Sequence, residues 1–287
     1  MKNAFSYAAS IVLSVLLVFF ILALAVSGIV RLRATDEQFM EISEKYELSD
    51  KVCSELENYF HERSSSTGIP ENVFMDAIDN EYIDSVIDTK IKNGFLRLKD
   101  KPTEPDIENE ALETSIDSFF REYADSINYT PDDKFEKKLE STKNNAYSII
   151  NEYSDVYKFG ALEEHGVIGT LSKIYKRIDI IIAVSASAIV ILLMLLLIIN
   201  HDPKIESVYW AGVSAVVAGV IGAAPCIFLL ATDFFRSFSI KQPQIYTAYT
   251  ETMKLFTNTL MYTSIGIAAA GLLLTIIYAV AKPKNKQ

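Results

Sequence analysis

The sequence predicts an all-α membrane protein, with four transmembrane helices and an acidic helical domain inserted between the first and second. Three observations predict it. Residues 4–30, 180–200, 207–232 and 255–281 carry no charged side chain, and each run meets the ~20 apolar residues that a helix rising ~1.5 Å per residue needs to cross a bilayer core. A soluble chain of 287 residues can bury one such helix, but hardly four. The polar residues are also segregated. Residues 34–177 hold 32 of the 37 acids and 17 of the 27 bases, a net charge of −15, against +5 for the remainder. Finally, apolar residues within that polar segment recur at helical spacing, with no strand alternation and no internal repeat.

Span 1 is placed at residues 4–30. Lys2 followed by an apolar run resembles a signal peptide. The 27 uncharged residues leading to Arg31 and Arg33, without a small-residue cleavage pattern, fit an uncleaved signal anchor better. The acidic helical domain, residues 34–177, is long enough to fold around its own core. Phe39, Ile42, Tyr46, Val52, Leu56 and Tyr59 make an amphipathic face with one gap, and Thr35 with Gln38 forms a candidate capping box. The run from Ser64 to Gly68 breaks it. Short helices over 71–78 and 81–93 put Val73, Ala77, Ile83, Ile87 and Ile91 inward, with Gly94 as a candidate C-cap.

Pro102 and Pro105 mark residues 99–106 as a linker. A helix over 108–127 follows, with Leu112, Ile116, Phe119, Phe120 and Tyr123 on one side. Thr130 and Pro131, then Asp132 and Asp133, read as the hydroxyl cap, first-turn proline and acids of the next helix. It stops near Gly160, and 162–177 leads into span 2, with Gly166 and Gly169 as weak points. Span 2 is expected over 178–199 and span 3 over 208–231, joined by a tight turn containing Pro203. Residues 232–259, rich in Phe and Tyr, are expected as a short interfacial or extracytoplasmic loop. Span 4 follows over 260–281, and residues 282–287 form a basic cytoplasmic tail.

Topology is weakly coded. With both termini inside, five basic residues lie on the cytoplasmic side and eight flank the spans opposite. Loops beyond about 60 residues translocate largely regardless of charge, so the domain is expected outside and both termini in the cytoplasm.

Chemistry is sparsely signalled. The acidic balance argues against nucleic acid, which needs clustered Lys and Arg. No GxSxG, HExxH, Walker A or GxGxxG pattern occurs. His61, His165 and His201 stand apart, none with a second ligand at zinc spacing, and read as solvated side chains. Asp76, Asp79, Glu81 and Asp84 cluster, but lack the sixth-position glycine and oxygen spacing of a calcium loop. Cys53 and Cys226 are too few for a disulfide framework, and Cys53, in the polar segment, is a candidate thiol reporter of topology. No span has a charge at mid-membrane, as a proton- or ion-coupled transporter usually would. Span 3 carries Ala211, Ala215, Gly219 and Ala223 every four residues, spacing that lets helix backbones approach closely in lipid. Gly266 and Ala270 are expected as the matching pair on span 4.

One resemblance adds to this. Thr35-Asp36 with Phe39, Asp50-Lys51-Val52 leading to Leu56, Gly68-Ile69-Pro70-Glu71 with Val73, and the acidic–aliphatic helix 81–91 resemble a segment of uncharacterised four-span membrane proteins of Gram-positive bacteria. The resemblance implies an extracytoplasmic helical loop and transfers no functional residue. The expected function is that of a non-enzymatic membrane protein of the cell envelope, its helical loop a binding or sensing module. A small transporter or channel subunit is the alternative. The expected partners are the lipid bilayer and another envelope or membrane protein. No cofactor, metal or catalytic residue is assigned.

Overall fold

The computed structural model describes residues 2–201 and 204–281, so Pro203 and the basic tail 282–287 lie outside the described residues. The described residues are 84% helix and form eleven α-helices and no strand. They are α1 (Lys2–Arg33), α2 (Asp36–Lys45), α3 (Leu48–Thr67), α4 (Asn72–Met75), α5 (Asn80–Leu98) and α6 (Glu110–Ser126). Then come α7 (Asp133–Ser154), α8 (Phe159–Glu164), α9 (Val167–Ile199), α10 (Ile205–Ala231) and α11 (Pro243–Ala281). Four of these, α1, α9, α10 and α11, are long and apolar enough to cross a membrane, the signature of a multi-pass membrane protein. The chain divides into two compact units. Unit 1 takes the described residues within Met1–Ala34, Lys176–Phe238 and Met253–Gln287, and unit 2 takes Thr35–Tyr175 and Ser239–Thr252.

Unit 2 is a cluster of helices, four of them (α2, α5, α6 and α7) started by a side-chain cap. The Thr35 hydroxyl accepts the Gln38 N–H of α2 at 3.3 Å, Asp79 accepts from Tyr82 of α5 at 2.8 Å, and Asn109 accepts from Leu112 of α6 at 3.1 Å. The α7 cap is Asp132, which accepts from Phe135 at 2.9 Å, rather than the expected Thr130. A carboxylate two residues nearer the helix competes better for the donors at its positive end. The face read from Phe39 to Tyr59 is two helices. Glu47 takes a left-handed φ of 51° and turns the chain between α2 and α3.

Gly94, expected as a C-cap, sits inside α5. A Cβ there would strike the Phe159 ring, so the glycine serves a close approach instead of a helix end. The core gathers Leu48, Val52, Leu56 and Phe60 of α3, Ile83, Ile87, Ile91 and Phe95 of α5, Leu112 and Ile116 of α6, and Ile150 of α7. The proline-bearing linker is pinned along its length. Asn93 bonds both the N–H and the C=O of Glu104, at 2.7 and 3.0 Å, and Asn109 donates to the Ala77 carbonyl at 2.8 Å.

The expected loop 232–259 is largely helix. Only residues 232–242, which include a 3-10 turn at Phe234–Ser237, are non-α, and α11 then runs unbroken for 39 residues. Pro243 suits the first position of a helix, and no glycine or proline follows until Gly266. The opening residues of α11 belong to unit 2. Gln244, Ala248 and Thr250 are buried there, the Tyr249 hydroxyl donates to the Tyr157 carbonyl at 2.6 Å, and the Tyr157 hydroxyl meets Thr252 Oγ1 at 3.0 Å.

In unit 1, α10 is the central helix: a third of its most apolar stretch is buried, twice the share of α1 or α9. Leu17 of α1 packs with Leu192 and Leu196 of α9 and with Trp210 of α10. At one end Asn200 donates to Ser10 Oγ at 2.9 Å, and Ser207 Oγ donates to the Leu196 carbonyl at 2.9 Å. Large apolar side chains such as Phe5, Val15, Ile198, Phe228 and Leu273 stay exposed, which suits hydrocarbon contact.

Small residues bring α10 and α11 together, but not at Gly266 and Ala270. A Cβ added to Gly219 would lie 2.6 Å from Ala268 and from the Ser264 carbonyl, and one on Gly271 would lie 2.9 Å from the Ala215 Cβ. Ala223 is buried and Ala211 half-buried. Gly266 has nothing within 4 Å of an added Cβ, and Ala270 is exposed. The α11 row is therefore Ser264, Ala268, Gly271 and Thr275. At ~100° per residue, Gly266 and Ala270 lie on the far side of the helix from that row.

Two outcomes are expected. Gly219→Leu lowers the detergent melting temperature or the membrane level of the protein strongly, since the clash is with backbone, whereas Gly266→Leu changes neither. A fragment of residues 35–175 melts well below the same fragment given the 239–252 peptide. The missing burial and hydrogen bonds are worth about 3–5 kcal/mol, and a melt indifferent to the peptide removes that role.

Candidate functional site

Gly219 joins α10 to α11 and Ala223 is buried in the same helix, while three clefts lie in unit 2. The most apolar is a cavity of about 400 Å³ between α3, the turn after it, α4 and α7. Its making is local. Phe60 closes the buried face of α3, Gly68 ends that helix with φ 75°, and Pro70 sends the chain into α4. Phe74 then stacks flat on Phe60, with ring centroids 4.2 Å apart and planes 11° apart. On the other wall Ala146, buried and small, leaves a hollow between Thr142 and Ile149 of α7.

Arg63 stands at this cleft with its guanidinium over the Tyr59 ring, 5.0 Å from the centroid. Among the described residues no carboxylate pairs with it. The other arginines of unit 2 are engaged: Arg97 with Glu163 at 3.1 Å, and Arg121 with Asp117 and Glu136. Asn145 and Ser148, both exposed, bring an amide and a hydroxyl that bond nothing among the described residues. Sequence reading passed over all three polar residues, because it treated the Ser-rich end of α3 as a break. The available signal was Arg63 one helical turn beyond Tyr59 and Phe60.

A second cleft of about 830 Å³ lies between α5, the linker, α7 and α8. It is polar, and its cations are already engaged. Lys90 pairs with Asp106 at 2.8 Å, Lys158 donates to the Glu152 carbonyl at 2.9 Å, and Asp155 accepts the N–H groups of Phe159 and Gly160 at 2.9 and 2.8 Å. A third, of about 330 Å³, is lined by Glu110, Glu113, Asp117 and Lys143. There the Arg121 guanidinium holds the Asp117 carboxyl below the usual range.

The acidic residues after α4 are structural. Asp79 caps α5, Glu81 lies in its first turn, and Asp50 accepts from Asn80. Among the described residues no three His, Cys, Asp or Glu side chains converge as a metal site. His61 pairs with Glu71 at 2.5 Å on the surface, the His165 N–H closes α8, and His201 is exposed.

Cys53 is a poor reporter thiol. It is half-buried, and burial, followed by the nearby Asp50, Asp84 and Asp79 carboxylates, pushes its thiol up to about 11. Cys226 is buried within α10. No known protein family, curated protein or solved structure matches the chain.

The raised thiol sets an expectation. Maleimide modifies Cys53 of the folded protein at neutral pH roughly a hundredfold more slowly than an unstructured cysteine, because the thiolate is the reacting form. The rate climbs about tenfold per pH unit up to the raised value. A fast, pH-flat reaction would contradict the burial.

Proposed function

We propose that this chain is a non-enzymatic integral membrane protein of the cell envelope, resembling the Gram-positive four-span proteins, with an acidic helical domain between spans 1 and 2 that binds or senses a ligand outside the membrane. The observation that carries it is the cleft beside Arg63: an apolar lining and a few unengaged polar groups, on a unit with its own buried core. Ligand sites are commonly built this way. The net charge of −15 over residues 34–177 makes adsorption to anionic lipid unfavourable and suits a domain held in solution. On this reading the four apolar helices anchor the domain, the bilayer is the one constant partner, and another envelope protein is the natural receiver of any signal.

The test is topological, and it avoids the shielded native thiol. In a Cys53→Ser background, Lys137→Cys on the exposed face of α7 is labelled by a membrane-impermeant maleimide in intact cells, and His201→Cys only after permeabilisation. The reverse pattern places the domain in the cytoplasm and ends the extracytoplasmic reading.

A further inference from the structure

We infer that the cleft between α3 and α7 is a binding site for a small organic anion, with its apolar body over Phe60 and Phe74 and its acidic group at Arg63. This deepens the proposed binding role and rests on it. A cavity of about 400 Å³ is in the range that encloses a drug-sized molecule. Its floor is fixed before any ligand arrives. Phe60 and Phe74 line it stacked face to face at 4% and 7% exposure, so the core holds this aromatic pair in place and only a small part of it meets the cleft, beside Tyr59, Ile69 and Ile149.

The charge requirement comes from Arg63. Guanidinium offers five donors in a planar fork suited to carboxylate, phosphate or sulfonate. In a unit rich in acids an arginine readily finds an acidic partner, as Arg97 and Arg121 do. Among the described residues Arg63 has none, and Glu71, at the start of α4, is engaged by His61. Stacking on Tyr59 instead holds the guanidinium at the cleft while leaving its N–H edge open. Asn145 and Ser148 add unengaged polar groups on the opposite wall. The second and third clefts lack this combination, because their cations already meet carboxylates or backbone carbonyls.

The experiment uses the full chain in zwitterionic lipid nanodiscs, titrated with naphthalene-2-carboxylate and with the neutral 2-naphthamide, empty nanodiscs being subtracted. The carboxylate is expected to bind one site at least about tenfold more tightly than the amide, as loss of a charge-assisted contact implies. Arg63→Gln is expected to erase that preference, and Arg63→Lys to keep part of it. Arg121→Gln is expected to leave both affinities unchanged, and Asn145→Trp, which fills the cleft, to abolish binding of both. Melting curves confirm that each variant is folded, and Arg63→Lys carries the test if Arg63→Gln is not.

Equal affinity for acid and amide overturns the anion assignment while leaving a binding cleft. Binding that survives Asn145→Trp places the site elsewhere and overturns the inference. Absence of binding by either probe also overturns it. The labelling of Lys137→Cys and His201→Cys is independent of all these outcomes, so failure of the ligand assignment is distinguishable from failure of the extracytoplasmic reading.

Discussion

Burial of Tyr157 sets the terms for unit 2. At 4% exposure its hydroxyl and its carbonyl need partners within the protein, since an unmade hydrogen bond in the interior costs about 1–3 kcal/mol. Both partners come from α11, as Thr252 and Tyr249. The same ring packs against Phe39 of α2 at 4.6 Å and Phe159 of α8 at 6.1 Å. One aromatic side chain thus ties the first helix of the unit, its last short helix and a segment supplied some ninety residues later. Desolvation raises the Tyr157 hydroxyl above the ordinary tyrosine range, so the buried ring stays neutral.

Unit 1 obeys a different constraint. In hydrocarbon, backbone groups must be satisfied within their own segment and helices gain little from the hydrophobic effect, so association depends on close packing and a few polar contacts. Both are present. Gly219 and Gly271 let the α10 and α11 backbones meet where any side chain would intrude, while Asn200, Ser10 and Ser207 tie the ends of α9, α1 and α10. The outward surfaces of the four helices carry the bulky Phe, Leu, Ile and Val side chains.

These two kinds of cohesion explain where a ligand site is to be sought. Tight helix contact in unit 1 leaves no need for polar invention. Unit 2 joins short helices of different lengths, and where α3 ends at Gly68 the neighbouring surfaces no longer match. The cleft fills that mismatch, lined by Phe60 and Phe74 and faced by an arginine that stacks on Tyr59 and meets no carboxylate among the described residues. The neighbouring polar cleft arises from the same irregularity but is braced internally by Lys90, Asn93 and Asp155.

Charge-free length and helical periodicity determined the class of this protein: four apolar helices, a helical polar segment, and the inward positions Val73, Ile83, Ile87 and Ile91. Those properties depend on residues within a few turns of one another. The α10 row was legible for the same reason, through Ala215 and Gly219. Its counterpart on α11 was not, because Gly266 and Ala270 share the composition of Ala268 and Gly271, and only the rotation of one helix against another distinguishes the two sides. Tertiary structure likewise decided that Gly94 makes room for Phe159, that residues 243–252 continue a helix and complete unit 2, and that Arg63 stands at a cleft. Each depends on partners far away in sequence, such as α7 beside α3 or Thr252 beside Tyr157, and no local pattern of spacing or charge encodes such a pairing.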